Sequence, residues 1–144
     1  MAATSISPSL QRLAQGGELE REEPSRGQFV TLVRLGRSLL DDARRDALSL
    51  EGRFSLVYGA AQALASAALR AQGYRSGNRA MAFECLPQTA GLSTVQSRVL
   101  ELCHDRRVKA EQEGVLEVDE RLVGEAAEVA QKLLERLERL RLPA

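Results

Sequence analysis

The chain has one histidine, and it lies in LCHDRRVKAEQEG, residues 102–114. On a helix His104, Arg107 and Glu111 stand at i, i+3 and i+7, so the three project from one side with Asp105 and Arg106 flanking them. Cutting RNA without a metal needs a base for the 2′-hydroxyl proton, an acid for the leaving oxygen and a cation over the non-bridging oxygens. A histidine near neutrality suits the first two tasks and an arginine fork suits the third. His104, Arg107 and Glu111 are therefore the candidate catalytic set. Arg106, Arg107, Lys109 and Gln112 are the candidate RNA- or nucleotide-contacting edge. The competing reading is a solvated helix end, because mixed charges three and four residues apart commonly form exposed, weakly paired surfaces.

No other constellation competes. The sequence holds no G-x-S-x-G, no P-loop and no H-E-x-x-H, and a single histidine cannot build a histidine-rich metal site. No metal or cofactor is expected. Twenty basic residues balance twenty acidic ones, which excludes an affinity resting on a generally basic surface. Aromatic residues are scarce and Trp is absent, which argues against a groove that stacks successive bases. Cys85 and Cys103 share no metal-ligand spacing and are expected as reduced, partly buried thiols. The start, MAATSISPSL, lacks the basic flank and apolar run of a signal peptide, and no stretch approaches the roughly 18 apolar residues of a membrane span. A cytoplasmic protein without membrane contact is expected.

The elements that must carry these residues read as helices. Length, 144 residues, fits one domain with its own core. Phe29, Leu32, Val33, Gly36, Leu39, Leu40, Ala43 and Ala47 keep helical spacing behind a Ser25/Gln28 capping box. A second helix runs from about Ser49 to Gln72, with Phe54, Val57, Tyr58, Ala61, Leu64, Ala65, Ala68 and Leu69 on one face and Ala60, Ala63, Ala67 and Ala71 on another, ending at Gly73. Residues 73–91 read as a connecting loop with at most one short helix, about Arg79 to Cys85. Ser93 and Gln96 form another capping box, opening a helix with Val95, Val99, Leu102 and Cys103 as its apolar stripe and Gly114 as its stop. The last helix opens near Asp119 and carries Leu122, Ala126, Val129, Ala130, Leu133, Leu137 and Leu140 at nearly heptad spacing, read first as core packing. Nothing reads as a strand. The expectation is an all-α, antiparallel bundle of four to five helices over residues 28–144. Residues 1–27 form an N-terminal arm with a short helix near Ile6 to Gln15, either a docking arm or a cap on the bundle.

The order of landmarks resembles a family. RFSLVYGAAQALASAALRAQGYRSGNRAMAFECLP (53–87), then LELCHDRRVKAEQEG (100–114) and the closing LVGEAAEVAQKLLERLERL, with LLDDARRDALSLEGRF (39–54) upstream, are similar to the small prokaryotic HEPN proteins. The resemblance covers most of the chain from about residue 28. It implies a HEPN-like helical bundle that commonly dimerises. Many members are metal-independent endoribonucleases of toxin–antitoxin, abortive-infection or CRISPR systems, often encoded beside a nucleotidyltransferase-type antitoxin.

The family signature is an arginine, commonly followed by Asn, Asp or His, then four to six residues and a histidine, with tyrosine there in some branches. Arg107 matches the arginine. Val108 stands where a polar residue belongs, and Gln112 where His or Tyr is expected. Valine cannot hydrogen-bond a phosphate and glutamine has no proton to exchange near neutrality. Gly114 occupies the position of a modified tyrosine in another branch. Arg98 and His104 meet the loose spacing in a second registration, but six positions on a continuous helix turn them about 240 degrees apart. His104 either serves a displaced site with Arg107 or is a helix-surface histidine. Three functions follow. The first is a dimeric defence or toxin–antitoxin protein whose ribonuclease signature has decayed, binding RNA, a nucleotide or a partner. The second is an active endoribonuclease toxin using Arg107, His104 and Glu111. The third is an architectural subunit of a larger assembly, with the Leu133, Leu137, Leu140 row as its interface.

Overall fold

A computed structural model describes residues 7–140, and the fold there is helical. Its elements in chain order are α1 (Pro8–Gln15), β1 (Glu20–Arg21), α2 (Arg26–Ala43), α3 (Leu50–Ala71), β2 (Tyr74–Arg75), α4 (Arg79–Glu84), α5 (Leu86–Ala90), α6 (Thr94–Glu113) and α7 (Glu120–Glu138). No helix among the described residues is long and apolar enough to cross a membrane. The expected helix start at Ile6 lies outside the described residues.

The helix starts follow the capping chemistry. Ser25, Ser49, Ser93 and Asp119 each accept a backbone N–H of the first turn of the helix they precede. Ser93 and Gln96 complete the reciprocal box. Ser25 and Gln28 make only half of theirs, because Oε1 of Gln28 accepts from Arg70 Nε at 3.3 Å instead. Gly114 ends α6 with φ 73°, a left-handed turn that glycine takes without a Cβ clash. At the end of α2, Arg53 donates through Nε to the carbonyl of Ala43 and through Nη2 to that of Arg45. The helix therefore stops there and Ala47 is exposed, outside the stripe assigned to it.

α3 is the central element. Thirteen of its residues are buried, among them Ala60, Ala61, Ala63, Ala65, Ala67 and Ala68, and these small side chains let neighbours approach on two sides. α2 runs antiparallel to α3, with Gln28 at Arg70, Gly36 at Leu64 and Arg53 at Ala43. α7 runs antiparallel to α2, with Arg37 paired to Glu138 and Arg44 to Gln131. α6 runs antiparallel to α3, with Tyr58 at His104 and Ser55 at Arg107. Leu133 and Leu137 are fully buried, so that part of the heptad row belongs to the core and not to an interface, and Leu140 alone of the three is exposed.

Three features depart from the sequence reading. Residues 79–90 form two short helices, because Pro87 starts a second turn that Gly91, at φ 67°, closes. A two-residue strand pair exists, with Glu20 opposite Arg75 and Arg21 opposite Tyr74. It is held by the Arg75–Glu20 ion pair, by Arg21 over the Tyr74 ring and by Arg70 behind it. Leu10 and Leu19, on either side of the α1 turn, are buried in the same core cluster as the bundle helices. The third departure concerns α6. Its buried face is Ser97, Leu100, Cys103 and His104, while Val95 is 74% exposed and Leu102 39%. The helix is turned by about a third of a revolution from the expected stripe, with Cys103 common to both faces.

Candidate functional site

That rotation decides where the histidine lies. Ser97 donates to the carbonyl of Phe83 at 2.8 Å, which seats the first half of α6 on α4. Two turns later the same face delivers His104 into a nest formed by Tyr58 and Phe83, with Phe54 stacked on Tyr58. The His104 ring stacks on Tyr58 with centroids 6.2 Å apart and tilts against Phe83 at 6.0 Å. Its Nδ1 lies 3.0 Å from the Tyr58 hydroxyl, and the tautomer sets which of the two donates. His104 is buried, not a helix-surface histidine. Burial and the Arg79 guanidinium push its pKa below the ordinary value, against weaker opposite pulls from Asp105, Glu111 and Glu84. Burial likewise raises the Tyr58 hydroxyl.

Around this nest the charged residues hold one another. Arg107 lies over the Tyr58 ring at 5.7 Å, donates through Nη1 to Ser55 Oγ at 3.4 Å and keeps Nε 3.7 Å from Glu111. Arg79, from α4, donates through Nη2 to Glu111 at 3.0 Å, and that bond holds the Glu111 carboxyl below its usual range. His104, Arg107 and Glu111 thus do come together, with Arg79 and Tyr58 as members that spacing within one helix could not reveal. The Nε atoms of Arg106 and Arg107 are buried without a hydrogen-bond partner. Lys109 is tied to Glu117 across the turn after α6. Gln112 is exposed, Val108 half-buried, and Arg98 is exposed on a different side of the helix from His104. No cluster of three or more His, Cys, Asp or Glu suited to a metal exists among the described residues.

Sequence reasoning missed a second feature, a cleft of about 640 Å³ walled by α2, α3 and the β2–α4 corner. Gln28 and Thr31 line it from α2, Gln62, Ser66 and Arg70 from α3, and Arg75 and Arg79 from the corner. It adjoins the histidine nest, because the Tyr58 hydroxyl reaches Gln62 Oε1 at 3.4 Å and Arg79 serves both places. The available signal was the row Gln62, Ser66, Arg70 in an otherwise apolar stretch. Arg107 does not line this cleft. No family model, no curated protein and no solved structure matches the chain.

Proposed function

We propose that the chain is a HEPN-type helical protein of a prokaryotic defence or toxin–antitoxin system whose ribonuclease signature has decayed. On this reading it works by dimerising and by binding RNA, a nucleotide or a partner protein along the Arg106–Arg107 edge of α6. The observation that carries the loss of catalysis is the placement of His104. Its ring is enclosed by aromatic side chains and bonded to Tyr58, so it is not offered to a substrate hydroxyl. Gln112, at the signature's histidine position, has no proton to exchange, and Glu111 is held between two arginines. Arg107 uses Nη1 for Ser55 and turns Nε toward Glu111, and its remaining Nη2 N–H groups favour a role in holding an anion at that edge.

Incubation of the purified chain with assorted RNAs in EDTA tests the proposal. No cleavage is expected, together with salt-sensitive RNA or nucleotide retention that Arg107→Ala weakens. Cleavage that disappears in Arg107→Ala and His104→Ala would replace this reading with the active endoribonuclease. An active enzyme has one observation in its favour, the assembly of His104, Arg107 and Glu111 in one cluster. Binding of neither RNA nor nucleotide, with a stable protein complex recovered on co-purification, would leave the architectural subunit.

A further inference from the structure

The central helix carries a polar row along one edge. Between Gly59 and Ala71 every residue is Gly, Ala or Leu except Gln62, Ser66 and Arg70. Those three stand four apart, so one edge of α3 holds all of them, and all three line the cleft. Alanine packs elsewhere on this helix at Ala60, Ala63 and Ala67, with no polar group to satisfy. An amide, a hydroxyl and a guanidinium on a helix edge between neighbours are disfavoured unless something hydrogen-bonds them.

Arg70 is satisfied by the protein itself. It meets the Glu22 carboxylate at 2.8 Å and the carbonyls of Glu22, Glu23 and Tyr74. Gln62 is bound only through Oε1, to Tyr58, which leaves its amide N–H groups for the cleft. The corner opposite adds two more guanidiniums. Arg75 meets Glu20 and Glu22 through Nε alone, and Arg79 meets Glu111 through Nη2 alone, so each keeps further N–H donors. Three carboxylates, Glu20, Glu22 and Glu111, face the three arginines, so the lining attracts an anion through these unused N–H donors and not through a net charge, while Leu32, Leu69 and Ala82 supply an apolar part.

We propose that this cleft binds a small organic anion. Its apolar or planar body rests on Leu32, Leu69 and Ala82, its carboxylate or phosphate monoester meets Arg75 and Arg79, and Gln62 and Ser66 hydrogen-bond a polar edge of the body. The volume of about 640 Å³ suits a small metabolite-sized molecule. An arginine fork accepts either oxyanion in paired hydrogen bonds. This proposal does not rest on the nuclease reading, since neither Arg107 nor His104 lines the cleft and only Arg79 is shared with their cluster.

Calorimetry and amide NMR titration of the full chain test the proposal with four probes. Phenyl phosphate and phenylacetate carry the two head groups on one body. Inorganic phosphate lacks the body, and benzyl alcohol lacks the charge. At least one of the two aromatic anions should bind saturably and more tightly than both controls, with shifts at Gln62, Ser66 and Arg79, and the better of the two names the head group. Arg79→Gln should weaken that binding roughly tenfold, and Thr31→Trp, at an exposed rim position, should abolish it. Failure of both anions to bind saturably overturns the proposal, as does benzyl alcohol binding as tightly as they do. So does unchanged binding in the two variants once their helical circular dichroism matches the parent.

Discussion

At the scale of single residues, His104 shows how burial changes what a side chain can do. In water an imidazole is half-charged near pH 6.5; inside the nest of Tyr58 and Phe83, with Arg79 nearby, the charged form is disfavoured and the folded-state pKa drops. Because the unfolded chain takes up this proton at a higher pH than the folded one, acidification favours unfolding. Stability from this group is fully present above about pH 6.5 and is lost as the pH falls from there toward the folded value. Chemical denaturation of the wild type should therefore give a lower midpoint at about pH 5.5 than at about pH 7.5. His104→Asn keeps a polar atom near the Nδ1 position for Tyr58 but does not titrate, and should flatten that difference. A wild-type midpoint that does not fall on acidification would mean the ring is protonated in the fold, which would restore it as a catalytic candidate.

Elements were legible wherever one residue type has one structural use. Ser49, Ser93, Asp119 and Gly114 mark boundaries that the structure keeps, because capping is local chemistry between neighbours. The buried face of α6 was not legible. Val95, Val99, Leu102 and Cys103 form a stripe by spacing, yet of these only Cys103 is buried, beside Leu100, because the partner surface on α4 offers the Phe83 carbonyl, and Ser97 takes it. Tertiary hydrogen bonding chose the face, and no window of α6 alone contains Phe83. The strand pair escaped notice for the same reason, since Glu20 and Arg75 meet only after α3 has folded back between them. Two substitutions probe these contacts. A Cβ at Gly36 would lie 2.5 Å from the Leu64 side chain, itself fully buried between α2 and its neighbours. Gly36→Ala should thus lower stability by about 1–3 kcal/mol despite the better helix propensity of alanine. Arg70 joins the 22–23 segment to α3 and β2, so Arg70→Met leaves several carbonyls without their donor and should cost about 2–4 kcal/mol. Equilibrium unfolding in urea measures both. An Arg70→Met protein as stable as wild type would show that the N-terminal segment docks through Leu10 and Leu19 alone.

For the whole molecule the question is whether residues 7–140 open as one unit. The core cluster runs without a break from Leu10 and Leu19 through α3 to Leu133 and Leu137, and it contains both thiols. Cys85 sits between α4 and α5, Cys103 in the middle of α6, and each is at most 2% exposed. Burial pushes their pKa values up to about 11 and about 12. Attack on a disulfide reagent requires the thiolate and access to it, so neither should react in the native state at pH 7.5 while both react at once in strong denaturant. At low denaturant the labelling rate reports the opening that frees each sulfur. Phe83 and Leu86, which flank Cys85, are buried in the same cluster as Leu100 beside Cys103. The two cysteines should therefore label together, at the rate of global unfolding, when followed by mass spectrometry of the peptides. If Cys85 labels well ahead of Cys103, α4 and α5 open by themselves. The cleft, whose wall includes Ala82 and Arg79, would then be a movable one, and ligand binding should slow that labelling.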